Sequence, residues 1–204
     1  MDEVLRYYMP QIGSSDIVTR LKLKPREFFL VSAHREENVD TPQNLRDSLE
    51  TLNALAQKYG NPVIVSTHPR TRKRLDALGI GGVHDLVDFS KPFGFFDFVQ
   101  LQMQARCVIS DSGTIREEAS LLRLPAITIR YAHERPEGMD DGILIMSGLK
   151  SNEVLEAVDV VCEQHLQNGP MRPVSDYEAL DVSRKIVRIV MSYTGYVDRT
   201  VWSK

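Results

Sequence analysis

The run Ser110-Asp111-Ser112-Gly113-Thr114-Ile115-Arg116-Glu117-Glu118 places hydroxyls, a glycine and a pair of carboxylates directly after an apolar segment, Cys107-Val108-Ile109. In that order the residues read as a strand, a tight turn and the start of a helix that continues to Leu122. The first N–H groups of a helix have no partner inside it and lie at the positive end of its dipole. Ser112, Gly113 and Thr114 are therefore suited to hold a phosphate or diphosphate. Gly113 has no Cβ to keep an anion from the main chain. Glu118, one turn into the helix, is poorly suited to a phosphate but can accept hydrogen bonds from two sugar hydroxyls, as acidic residues near such turns do with ribose. Together these residues describe a nucleotide or nucleotide-sugar site. The same stretch also reads as plain turn and cap chemistry, because Asp-Ser-Gly favours turns and a Ser or Thr ahead of glutamates caps helices.

The elements that must position this turn weigh between the two readings. Residues 28–32, 62–66, 84–87, 107–110 and 126–129 are short strand-like segments, several of them the continuous apolar runs of strands covered on both faces, and 143–146 is a further candidate. Between the first two, Leu45, Leu49, Leu52, Leu55 and Ala56 recur at helical spacing from Thr41 to Gly60, with Pro42 in a first turn that accepts it. Residues 71–78, 95–104, 115–122, 152–166 and 177–192 read as further helices, and 2–9 and 14–21 as two short ones separated by Pro10 and Gly13. Alternation of this kind predicts an α/β fold, a Rossmann-like parallel sheet with helices on both faces. Ligands of such sheets lie outside the carboxyl ends of the strands. The polar loops starting at His34, His68, Phe89, Ser110 and Arg130 all leave those ends, and their convergence favours the phosphate reading over the cap reading. The expected division is an entry segment over 1–24, the Rossmann-like nucleotide-binding unit over 25–170, and a C-terminal helix and tail over 171–204.

Composition excludes several classes of function. The chain has 204 residues, of which 42% are hydrophobic and 26% charged, enough for a well-formed core. A net charge of −3 with scattered Lys and Arg gives no basic field for nucleic acid, so none is expected as a partner. No window has the apolar length of a membrane span, and Asp2 and Glu3 stand where a signal peptide would carry positive charge, so the expected address is cytoplasmic. Cys107 and Cys162 fit reduced core thiols better than a disulfide, and no His/Cys/Asp/Glu set has zinc spacing. His68, His84 and His165 are expected to be structural or surface residues.

Three motifs in order, Ser32-Ala33-His34-Arg35-Glu36-Glu37-Asn38, the Asp111–Glu118 run and Glu134-Arg135-Pro136-Glu137, resemble those of the non-hydrolysing UDP-N-acetylglucosamine 2-epimerase family. Thr114 stands where many members have a second glycine, and Arg116 where many have glutamine. The run 133–139 and the tail 192–202 are more similar to the branch that makes UDP-N-acetyl-L-fucosamine for surface polysaccharide. The resemblance implies one half of a two-domain GT-B-type fold, the second half of a family member, with the first domain outside this chain. It implies that Ser112, Gly113 and Thr114 receive the diphosphate of UDP or a UDP-N-acetylhexosamine, that Glu118 binds ribose, and that Phe98 lines the uracil pocket. His34, as the catalytic candidate, and Arg135 would face the diphosphate or sugar, and Arg35 a ligand or a regulatory sugar. From the residues alone, Phe98 in its aromatic cluster also reads as core, and Arg135 as a surface ion-pair partner of Glu134 or Glu137. The implied chemistry inverts C2 by loss of its proton and of UDP from C1, then re-addition, without an obligatory cofactor. The acid and base carboxylates would come from the first domain, so this chain alone is expected to bind UDP weakly and not to epimerise. A GT-B glycosyltransferase or a non-catalytic nucleotide-sugar-binding module are the competing readings. The aromatic tail of Tyr193, Tyr196 and Trp202 is expected to cross to the first domain or, without it, to be mobile or to pack against another copy as a homodimer.

Overall fold

A computed structural model of the chain describes residues 1–33, 41–67, 71, 82–132 and 137–203. In chain order its elements are α1 (Asp2–Gly13), α2 (Ile17–Arg20), β1 (Phe29–Ser32), α3 (Pro42–Tyr59), β2 (Val63–Ser66), β3 (Val87–Ser90), α4 (Phe95–Gln104), β4 (Cys107–Ser110), α5 (Ile115–Leu122), β5 (Ala126–Thr128), α6 (Glu137–Asp140), β6 (Ile145–Met146), α7 (Ser151–Asn168), a 3-10 turn at Ser175–Glu178 and α8 (Val182–Thr200). The strands form one sheet in the order β3-β2-β1-β4-β5-β6, and each neighbouring pair is parallel.

Parallel strands with apolar residues at every position must be covered on both faces, and the packing follows that rule. Phe29, Val31, Val63, Val65, Cys107, Ile109 and Ile127 point to one face, where Leu52, Leu55 and Ala56 of α3 and Val154, Ala157 and Val158 of α7 cover them. Leu30, Ile64, Val108 and Ala126 point to the other face and meet Ile17 of α2, Leu101 of α4, and Ile115 and Ala119 of α5. Each of these larger side chains removed from water stabilises the fold by about 1.5–3 kcal/mol. The middle of β1 is paired on both sides, Val31 with Val65 of β2 and with Ile109 of β4, which fixes where β4 ends and its turn begins. Helix α3 starts at Pro42 and ends where Gly60 turns left-handed at φ 62, a conformation that costs glycine little.

Three expectations from the sequence are corrected. Pro10 does not divide the first helix: α1 runs through it, because one missing N–H is outweighed by Leu5 and Ile12, which lie on one face and bury against Val99 of α4. The third strand lies three residues later than expected, at Val87–Ser90. Its register against β2 pairs Val87 with Val63 and Phe89 with Val65, while His84 accepts the Val87 N–H in a turn at 2.9 Å. The last helix starts at Val182 rather than at residue 177, and residues 175–178 form a separate 3-10 turn. None of the residues of α8 is buried, so its apolar stripe includes Ile186, Val190, Tyr193 and Trp202 just beyond its end, all exposed. Among the described residues, no helix is long and apolar enough to cross a membrane.

Candidate functional site

From β1 the sheet grows one way through β2 to β3, and from β4 the other way through β5 to β6. The strand order therefore reverses between β1 and β4, and the crevice outside the carboxyl ends at such a point is where sheets of this kind bind ligands. The turn after β4 occupies that point. Asp111 N–H donates to Ser32 O at 3.1 Å, which ties the start of the turn to the end of β1.

The turn holds itself in shape. Ser112 N–H donates to Ser110 Oγ at 3.1 Å, Thr114 N–H donates to Ser112 Oγ at 3.3 Å, and the Ser112 and Thr114 hydroxyls meet at 3.0 Å. Each serine takes the N–H two residues on, which is the local bond that makes these residues turn formers. Thr114 stands at the N-cap of α5, yet its side chain makes no cap bond to the helix. Among the described residues, the Gly113 N–H makes no hydrogen bond to the protein. A plain cap would have spent its hydroxyl on the helix, whereas this turn spends its hydroxyls on itself and leaves one main-chain donor without a protein partner among the described residues.

Polar groups are buried behind the turn. Ser110 and Asp111 are enclosed, as are Arg116 on α5, Thr128 at the end of β5 and Arg130 just after it. Arg116 is only 1% exposed, and it lies across α6 so closely that a Cβ on Gly138 would sit 2.9 Å from its own Cβ. Position 138 therefore needs glycine so that the guanidinium-bearing chain can stay beneath the site.

Glu118 is half-buried one turn into α5. Its Oε2 accepts a hydrogen bond from Gln102 Nε2 at 2.6 Å, and Gln102, in the last turn of α4, is 1% exposed. Phe98 precedes Gln102 by four residues and so shares its helix face. It is half-buried against the core cluster that contains Leu101 and Ile115, which makes it partly a packing residue. The structure thus brings Phe98, Ser112, Gly113, Thr114 and Glu118 to one stretch of α4 and α5. His34, Arg35 and Arg135 lie outside the described residues, as does most of the helix expected over 71–78. Sequence reasoning missed Gln102 and the burial of Arg116 and Arg130. The signal for Gln102 was available: a glutamine between Leu101 and Met103, in an amphipathic helix, at a position that helical spacing turns inward.

The amino edge of the sheet carries a second polar cluster. Tyr59 OH donates to Asp159 Oδ1 at 2.7 Å, Lys58 forms an ion pair with the same carboxylate, and the Arg106 guanidinium sits 4.7 Å from the centre of the Tyr59 ring while donating to Asn61. Burial, and then the bond to Asp159, push the Tyr59 hydroxyl far above its usual range. The bonds from Lys58 and Tyr59 hold the Asp159 carboxyl below its own. Cys107 and Cys162, nearby, are free thiols.

The family described as UDP-N-acetylglucosamine 2-epimerase is matched over residues 1–191, nearly the whole chain. The chain belongs to that family. Among its relatives, the UDP-N-acetylglucosamine 2-epimerase of Methanocaldococcus jannaschii is 33% identical over 138 residues, which cover 66% of this chain and 38% of the relative. The solved UDP-N-acetylglucosamine 2-epimerase of Rickettsia bellii is 48% identical with a TM-score of 0.85, covering 99% of this chain and 54% of that one. The M. jannaschii UDP-GlcNAc 2-epimerase, solved in complex with UDP-GlcNAc and UDP, is 26% identical with a TM-score of 0.76, covering 94% of this chain and 52% of that one. The chain spans about half the length of these solved family members, or less of the curated ones. The family match runs from residue 1 into the first half of α8, so it takes in the whole sheet.

Proposed function

We propose that this chain is the UDP-binding half of a UDP-N-acetylhexosamine 2-epimerase of GT-B-type architecture. One observation carries the reading: a Gly113 N–H with no partner among the described residues, in a self-bonded turn at the switch point of the sheet just before α5. Ser112, Gly113 and Thr114 would take the diphosphate, Glu118 the ribose hydroxyls, and the open part of Phe98 the uracil ring. His34, Arg35 and Arg135 are proposed to face the diphosphate and sugar from the neighbouring loops.

The chemistry follows from what the site holds. Loss of UDP from C1 builds negative charge on the diphosphate, and fixed N–H donors with cations behind them stabilise that charge without reorganising during the step. Removal and return of the C2 proton requires carboxylates of suitable proton affinity on both faces of the sugar. Those are proposed to come from a first domain outside this chain, onto which the apolar stripe of α8 would pack. The reading also includes a cytoplasmic address and a role in supplying precursors for surface polysaccharide. Mixing the chain with a matching first domain should give C2 epimerisation of a UDP-N-acetylhexosamine, followed by NMR of the sugar protons, while the chain alone turns over none. Epimerisation by the chain alone would overturn this division of labour.

A further inference from the structure

We propose that Gln102 is a positioning residue for nucleotide recognition, holding the Glu118 carboxylate so that its second oxygen faces the ribose hydroxyls of a bound uridine nucleotide. The inference rests on the nucleotide reading above and adds to it a residue from a different helix.

Gln102 is 1% exposed, and burying a primary amide is unfavourable unless both of its ends are paired. Only one is. Nε2 donates to Glu118 Oε2 at 2.6 Å, whereas Oε1 is buried with no hydrogen-bond partner among the described residues. The amide cannot relieve this by flipping, because a carboxylate only accepts and so the donor end must face Glu118. An unbranched apolar side chain would fill the same space without burying an orphan carbonyl. What the amide does provide is a fixed direction for Glu118, a long side chain that otherwise turns freely about its bonds and would have to be ordered when ligand binds. With Oε2 occupied by Gln102, the carboxylate is held near one orientation and Oε1 remains for a pair of sugar hydroxyls. Phe98, four residues earlier on the same face of α4, ties the same helix to the base, so one helix would set both the base and the ribose contacts.

The test compares UDP with 2′,3′-dideoxy-UDP, which lacks both ribose hydroxyls, by NMR titration of the full chain and of Gln102→Met. The parent chain should prefer UDP by about tenfold or more, as hydrogen bonds to a charged acceptor allow. Gln102→Met should shrink that preference to about twofold by weakening UDP alone, with a thermal midpoint unchanged or raised because the orphan carbonyl is gone. In a Glu118→Gln background the same substitution should change little further. Gln102→Leu, which is close in volume and offers no donor, should lose the preference as well and serves if the methionine variant does not fold. An undiminished preference in these variants overturns the positioning role and leaves the nucleotide reading standing. Equal weakening of both nucleotides, or a lowered midpoint with the preference intact, also overturns it, since Gln102 would then act by packing. A parent chain that binds UDP without preferring it over the dideoxy form removes the ribose role of Glu118 and the proposal with it.

Discussion

The two ends of the sheet bury polar chemistry in opposite ways. At the amino ends of the strands, Lys58, Tyr59, Asn61, Arg106 and Asp159 are joined to one another; burial and the bond to Asp159 raise the proton affinity of Tyr59, and the bonds from Lys58 and Tyr59 lower that of Asp159. At the carboxyl ends, the Gly113 N–H and Thr128 Oγ1 have no hydrogen-bond partner among the described residues, and the first turn of α5 has no side-chain cap. A polar group without a partner costs the fold about 1–3 kcal/mol, so leaving several at one edge is expected only where something else completes them. The contrast teaches that polarity alone does not mark a site. A closed set of polar groups is architecture, and an open one is a place for a ligand.

That contrast makes substitutions at the two ends separable. The largest expected effect is at Glu118: Glu118→Gln keeps an acceptor for Gln102 but removes the charge, so UDP affinity should fall by about tenfold while the unfolding midpoint hardly moves, as titration and thermal melting would show. Ser112→Ala removes a hydroxyl that shapes the turn and that, on the proposed reading, donates to the diphosphate. Its loss should weaken UDP by about fivefold, near 1 kcal/mol, in the same titration. Asp159→Asn should do the converse, lowering stability by less than about 1 kcal/mol in a denaturant melt with UDP affinity unchanged, because this half-exposed carboxylate serves only its neighbours. A change in UDP affinity there would blur the distinction between the two ends.

The smallest effect concerns pH. His165, at the amino end, is held below its ordinary proton affinity by burial and then by the positive charge of Arg26. The folded chain therefore binds the proton less readily than the unfolded chain. The resulting stability is complete above the ordinary histidine value and declines as pH falls below it. Melting temperatures should drop slightly between pH 8 and pH 5.5, and His165→Gln should flatten that slope.

Most of the fold was legible because its strands are buried on both faces. Runs such as Phe28-Phe29-Leu30-Val31 and Cys107-Val108-Ile109 have no other use in a chain of this charge, and Pro42 and Gly60 mark both ends of α3. The turn at Ser112 and Gly113 was legible as a turn, because its serines take the N–H two residues on and its glycine has no Cβ. The errors fell where long-range packing overrides local preference. Pro10 is carried inside a helix by Leu5 and Ile12, and the edge strand β3 is placed by pairing Phe89 with Val65 rather than by its own weak pattern. Gln102 was passed over because its meaning depends on α4 lying beside α5, a juxtaposition that no local pattern contains.

The central claim is that the turn after β4, through its open Gly113 N–H, holds a diphosphate. Titration of the isotope-labelled chain with UDP tests it most directly. The account predicts saturable shifts of the Ser112, Gly113 and Glu118 amides, with those near Tyr59, Arg106 and Asp159 at rest. Amides of the turn that stay unmoved at saturating nucleotide, or shifts gathered at the amino end of the sheet, would contradict it.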